Sequence, residues 1–342
     1  MKRLLIAVAL VLASTAAFAE MADRNVLVTP AGIVYSVEQA TPSSSANVDA
    51  TTILMLSVQQ GTDLPQYMTV PETLKSGYNF GGTLVYDADT KTLFVMWVHA
   101  PNFMSTELLL AAYRDGKWQP AISIDNADYH LRTNLQLGIT RRVAQLQKDG
   151  SYADRPALLL HALWWDESAT GNEARYALLN VEKGAVTSIE KHSLEEFVDP
   201  ASEPEAQDGE TFNKSILSHP AIVSSPAQNS VDLVFGDPLK NSIHTVTLHP
   251  IADVRIHIPI GIGGGGHPSI HAPKEFPTDW DGPVTVFEHG DTLLFANTTE
   301  KTVNYLTYSG GTWSDVKSIA LSPKLAADAA IAAVDKMVQA SQ

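Results

Sequence analysis

Two distant stretches of the chain are written in one pattern. Thr92-Leu93-Phe94-Val95 leads through a loop to Leu108-Leu109-Leu110-Ala111-Ala112-Tyr113-Arg114-Asp115-Gly116-Lys117-Trp118. Thr292-Leu293-Leu294-Phe295 leads to Val303-Asn304-Tyr305-Leu306-Thr307-Tyr308-Ser309-Gly310-Gly311-Thr312-Trp313. In each, a tyrosine is followed by glycine three residues later and tryptophan five residues later, then by a short apolar run at 121–124 or 316–319. The pattern describes a hairpin. Glycine supplies the positive φ of the turn, and the tryptophan opens the returning strand and covers the face beside it.

The rest of the chain follows the same grammar of short β-branched and aromatic runs broken by Gly, Asp, Asn and Pro. Strands are expected at 26–35, 51–58, 82–87, 92–99, 107–114, 157–165, 174–181, 230–236, 242–248, 292–296 and 303–308, among others. Looser copies of the unit start near 26, 156 and 220, the second closing on the turn Lys183-Gly184. A unit of three or four antiparallel strands cannot bury both its faces alone. Radial stacking covers them, and closing the ring removes exposed edges. The expected fold is therefore an all-β β-propeller of five blades, or six if 46–74 or 125–150 adds one. A β-sandwich with decorated loops is the competing architecture. The tail departs from this grammar: Ser322 as cap, Pro323 at the first helical position and an Ile331/Val334/Val338 stripe predict a C-terminal amphipathic α-helix over 323–342.

This pattern resembles the repeat of sialidase-like propellers: Pro-x-Ile/Leu, a strand with Trp near its end, a strand ending in Tyr, then a Gly turn and Trp. The Asp-box turn of that superfamily, Ser-x-Asp-x-Gly-x-x-Trp, is degenerate here. Tyr113 to Trp118 has one spacer too few, and Gly310 stands where the second copy would carry Asp. The resemblance implies a propeller over most of 26–322. It also implies, for a catalytic member, an arginine cluster that grips a carboxylate, an acidic acid/base and a tyrosine nucleophile paired with glutamate. The set that can be drawn here is Arg132, Arg155 and Arg255 with Tyr176, Asp166, Glu167 or Glu288.

Lys2 and Arg3, the apolar run Leu4 to Ala13 and Ala17-Phe18-Ala19 read as a cleaved signal peptide over 1–19. The propeller domain is then expected at 20–322, periplasmic or secreted, with no later apolar run long enough to cross a bilayer. The chain has 38 acidic against 23 basic residues and a net charge of -15, which disfavours phosphate backbones and anionic lipid as partners. With no cysteine, disulfides, thiolate catalysis and cysteine-ligated metals are excluded.

Two further stretches draw attention. Val254 to Pro273 holds His257, His267 and His271 around Gly263 to Gly266, a spacing that could bind zinc or copper if the loop folds back; otherwise it is a Gly-rich lid and the protein needs no cofactor. Its literal match to the dinucleotide fingerprint fails because His267-Pro268 follows where a helix should open. Trp164-Trp165-Asp166-Glu167 places adjacent side chains on opposite faces of a strand. On that reading one tryptophan is core and the other lines a sugar- or peptide-binding surface.

Without a coherent nucleophile–base pair, the expectation from sequence is a non-catalytic binding or assembly module of the cell envelope. Its partner would be an envelope protein or a glycan and not a nucleic acid. The alternative is a glycoside hydrolase of sialidase type or a polysaccharide lyase, and a further one is a histidine-coordinated metal-binding protein.

Overall fold

Alternating and continuous apolar runs build sheets, and the turns between them carry the residues that tolerate positive φ. The computed structural model describes residues 26–29, 31–42, 50–61, 63–102, 104–168, 171–194, 220–225, 230–237, 242–252, 260–266, 270–271, 284–289, 292–298, 302–309 and 312–320. The first sheet is an antiparallel meander of β1 (Val26–Val28), β2 (Ile33–Ala40), β3 (Ile53–Gln60) and β4 (Gln66–Thr69). The second comprises β5 (Tyr78–Asp87), β6 (Thr92–Asn102), β7 (Ser105–Arg114), β8 (Lys117–Trp118) and β9 (Ile122–Asp128), the last two both pairing with β7.

The third sheet is larger. One meander of β10 (His130–Leu146), β11 (Tyr152–Ser168), β12 (Gly171–Glu182) and β13 (Ala185–Ser193) is hydrogen-bonded to a second. That second meander holds β14 (Ala221–Ser225), β15 (Ser230–Asp237), β16 (Ser242–Ala252), β17 (Ile260–Gly266) and β18 (Ile270–His271). The join is a short parallel pairing of Ala144 with Ile251 and Gln145 with Ala252. The fourth sheet contains β19 (Val284–His289), β20 (Thr292–Thr298), β21 (Thr302–Ser309), β22 (Thr312–Trp313) and β23 (Lys317–Ala320). The opening strands of successive meanders lie side by side, β1 by β5, β5 by β10, β10 by β14 and β14 by β19. This is a propeller-like arrangement.

The fold class expected from sequence is corrected in two respects. The described residues contain strands and no helix, so the fold stated for them is all-β; residues 323–342, on which the helix expectation fell, lie outside them. Among the described residues the hydrogen-bonded sheets number four, because the β10–β16 pairing fuses two units. Within 125–150, held open for a sixth blade, His130–Leu146 instead forms the first strand of the unit expected to start at 156. The Gly-rich run is likewise no lid: Gly261 to Gly266 lie in β17 and pair along β16, from Ile251 to Val246.

Among the described residues, three cores fill gaps between sheets. Leu93 to Val98 of β6 and Ala157 to Trp165 of β11, His161 apart, are continuously apolar because both faces of these stretches are covered. In β6, Leu93, Val95 and Trp97 pack toward the first sheet with Tyr35, Leu54 and Leu56, whereas Phe94, Met96 and Val98 pack toward β10–β13 with Leu135, Leu160 and Trp164. On the far face of β11, Leu159, Leu163 and Trp165 meet Ile222, Leu233, Phe235 and Val246. β5 presses on β2 so closely that a Cβ on Gly82 would stand 2.5 Å from Val37 Cγ1.

The two Tyr–Gly–Trp hairpins occupy equivalent corners. Tyr113 pairs with Trp118 at a centroid distance of 5.1 Å and 54°, and Tyr308 with Trp313 at 4.9 Å and 55°. Asp115 (φ 50°) and Gly116 (φ 75°) form the first turn, both in the left-handed region that two-residue hairpins use.

Candidate functional site

One end of the molecule gathers the β6–β7 turn, the β9–β10 corner and the β11–β12 turn. There the gap between the second sheet and β10–β13 changes from apolar to charged. Beyond Trp164, the same face of β10–β12 carries Arg132, Asp166, Glu173 and Arg175, because Arg132 pairs with Asp166, Asp166 with Glu173 and Trp164 with Arg175. Antiparallel partners point to the same side.

A bulge aims these side chains. Three steps on β10, Thr133 to Gln136, match two on β11, and Asn134 absorbs the extra residue at φ 52°. Before the bulge, even-numbered β10 residues face the second sheet, so Arg132 does. After it they face the opposite core, where Gln136 holds β14 by donating to the Pro220 carbonyl (2.7 Å) and accepting from the Ile222 amide (2.8 Å).

Arg132 is fully buried and ties the two sheets together. Its Nη1 donates to the Thr106 carbonyl (2.8 Å) and its Nη2 to Asp125 Oδ2 (2.6 Å). Lys191 Nζ reaches the other oxygen of Asp125 at 2.9 Å. Burial pushes the Asp125 carboxyl up, but the Lys191 hydrogen bond and the charge and hydrogen bond of Arg132 outweigh it and hold the group below its ordinary range.

Beside this bridge, His130 Nδ1 lies 2.8 Å from Asp166 Oδ1. The Asp166 side chain is 3% exposed and that of His130 26%. Arg175 Nε stands 3.8 Å from Asp166 Oδ2, and its Nη2 pairs with Glu173. A carboxylate held against Nδ1 selects the tautomer that donates from Nδ1 and leaves the Nε2 lone pair available. The arrangement can therefore move a proton at His130 Nε2 while guanidinium and ammonium groups offset negative charge nearby.

On the opposite face of β11 runs a buried chain: Thr140 Oγ1 is 2.9 Å from His161 Nε2, and His161 Nδ1 is 2.8 Å from Tyr176 Oη. Burial lowers the His161 pKa to about 3, so the ring is neutral, and burial followed by the Glu190 charge raises Tyr176 well above its usual value. With no solvent-accessible surface and its hydroxyl engaged, Tyr176 is part of the core, and the nucleophile expectation for it is corrected.

The remaining sequence candidates are dispersed. Arg132 and Asp166 meet at the charged end, and Glu167 is next to them but faces the other side of β11. Arg155 is exposed near the far end of β11, eleven residues and about 36 Å from Asp166 along the strand. Glu288 lies in β19 opposite Leu293, and His271 in β18 opposite Ser242. Arg255, His257 and His267 lie outside the described residues. Among the described residues no group of three or more His, Asp or Glu converges as a metal site, and no helix is long and apolar enough to cross a membrane. Trp164 and Trp165 are 1% and 2% exposed. The expected binding surface is thus corrected to two cores, because sheets cover both faces of β11.

Sequence reasoning passed over His130, Asp125, Arg175 and Lys191. The available signal was Tyr129-His130-Leu131-Arg132, a mixed polar run in an interval to which no strand was assigned.

No protein-family model matches the chain, and no curated protein matches it. Solved structures resemble it at low identity. An arginine-to-alanine triple mutant of AofleA from Arthrobotrys oligospora is 12% identical, with 88% of this chain and 74% of that chain covered and a TM-score of 0.42. An ulvan lyase of polysaccharide lyase family PL25 is 8% identical, covering 85% and 68%, with a TM-score of 0.40. A GH43_1 enzyme from Xanthomonas citri is 11% identical, covering 90% and 88%, with a TM-score of 0.36. Two of these are described as enzymes. The expectation of a purely non-catalytic binding or assembly module rested on the lack of a nucleophile–base pair and is corrected by the His130–Asp166 pair. The specific sialidase resemblance is corrected because the described residues do not assemble its arginine triad and tyrosine nucleophile.

Proposed function

We propose that the chain is an exported enzyme that processes glycans by acid–base chemistry at the charged end, with His130 as the base. The observation that carries this reading is the His130–Asp166 pair, a partly exposed imidazole oriented by a buried carboxylate beside Arg175. The chemistry it fits best is elimination from a uronate-bearing polysaccharide. His130 Nε2 takes the proton α to the uronate carboxylate, the C–O bond to the leaving sugar breaks, a C=C bond forms, and the leaving oxygen is protonated from solvent. Arg175 offsets the charge that develops on the uronate.

Polygalacturonate, alginate and ulvan incubated with the protein are expected to give unsaturated products by ultraviolet absorbance, and His130→Ala to abolish them. A second reading rests on the direct pairing of Asp166 with Glu173. Opposed positions set the two Cβ atoms about 4.5–5.5 Å apart, within reach of the roughly 5 Å carboxyl separation that a retaining glycoside hydrolase uses. New reducing ends without ultraviolet absorbance would select it. Absence of both products across acidic and neutral polysaccharides would overturn the enzyme reading. Export is proposed from residues 1–19, and an N-terminus at Glu20 in protein recovered outside the cytoplasm checks it.

A further inference from the structure

Tyr129 immediately precedes His130 and is 68% exposed. Its backbone lies at φ 61°, where a side chain other than glycine or asparagine is disfavoured. Nothing local requires tyrosine there, yet the residue is firmly held. Its amide donates to the Met104 carbonyl at 2.6 Å, and its hydroxyl is 3.5 Å from Met104 Sδ. The two segments are clamped on either side: Ser105 Oγ donates to Asp128 Oδ1 (2.7 Å), Thr106 Oγ1 donates to the His130 carbonyl (2.9 Å), and Asn102 Oδ1 accepts from the Met104 and Ser105 amides. Met104 is 54% exposed and Leu131 40%. A phenol ring is thus presented to solvent on a rigid, strained corner, next in sequence to the His130–Asp166 pair.

We infer that Tyr129, backed by Met104, is a sugar-stacking platform, a binding subsite for the pyranose ring adjacent to the bond processed at His130. The inference rests on the proposed glycan chemistry and deepens it. The apolar C–H face of a pyranose is the chemistry that a solvated aromatic face takes up, and hydroxyls at the ring edge remain free for Asp128 and the other polar groups of the corner. Loss of the ring removes roughly 60 Å² of apolar contact, about a tenfold weakening.

The test uses the full-length mature protein with trigalacturonate and cellotriose as probes, read by calorimetry and by saturation-transfer NMR. Tyr129→Phe is expected to bind the preferred trisaccharide within about twofold of wild type and Tyr129→Gly about tenfold more weakly. Tyr129→Gly is also expected to melt no lower than wild type, since glycine relieves the φ strain. Equal affinity in wild type and Tyr129→Gly overturns the inference, as does the absence of ring-proton saturation transfer in the wild type with either probe. The two proposals fail separately. If His130→Ala leaves product formation intact while Tyr129→Gly weakens binding, the platform stands and the base assignment falls; if His130→Ala abolishes product and Tyr129→Gly binds normally, the reverse holds.

Discussion

Trp164 and Trp165 are neighbours in the chain and share no core: the first packs between the second sheet and β10–β13, the second between β10–β13 and β14–β16. A strand covered on both faces uses each of its side chains for packing, so a tryptophan pair here joins three layers. Replacing either by alanine is expected to cost about 3–5 kcal/mol, and the two losses to add because their surroundings are separate. Urea titration of the single and double variants measures this. A loss near zero for either one would return that residue to the surface.

The Asp115-Gly116 turn requires two residues at positive φ. Gly116→Val should lower stability by about 1–3 kcal/mol, seen as a drop in thermal midpoint. An unchanged midpoint would mean that the hairpin has another turn.

His161 titrates from about 3 in the folded chain against an ordinary value of 6.5. Between those values the unfolded chain holds a proton that the folded one refuses, so stability rises with pH across that window and falls on acidification. His99, also lowered by burial, acts in the same direction. His161→Gln, which removes the titration, is expected to flatten the stability profile between pH 4 and about 6.5 relative to wild type. An identical slope in both proteins would contradict the buried neutral ring.

Asp125 acts in the same direction at more acidic pH. Its depressed pKa contributes stability that is present above the ordinary aspartate range and lost as pH falls through the lower folded value. Arg132→Met, leaving Asp125 without its buried partner, should cost about 3–5 kcal/mol at neutral pH. Lys191→Ala, at a half-exposed ammonium, should cost under about 1 kcal/mol. Equal losses would show that Arg132 is not the bridge between the sheets.

Asp166→Asn keeps the shape of the His130 contact and removes its charge. In the proposed elimination, turnover is expected to fall about 10²–10⁴-fold with little change in KM, since Asp166 would position the base without holding substrate. A rise in KM at constant kcat would reassign Asp166 to binding.

Much of the framework was legible in the residues. Tyr113 with Trp118 and Tyr308 with Trp313 are hairpin partners only a few residues apart, and Lys183-Gly184, at φ 54° and 82°, is the same turn again. Local spacing and turn chemistry suffice for such elements. The charged end was legible only in part: Arg132 and Asp166 stood out as residue types, but Arg155 and Tyr176 were grouped with them, and strand length and burial separate all of these.

Most strands, the hairpin corners and the continuous apolar runs were decided by the sequence alone, because they depend on propensity and period within a few residues; the polar β10 and the Gly-rich β17 were not. The meeting of His130 with Asp166, 36 residues away, was decided by tertiary structure. So was the side to which Arg132 points, since one extra residue at Asn134 reverses the alternation of β10, and no period-two reading locates such a bulge without the partner strand against which it is counted.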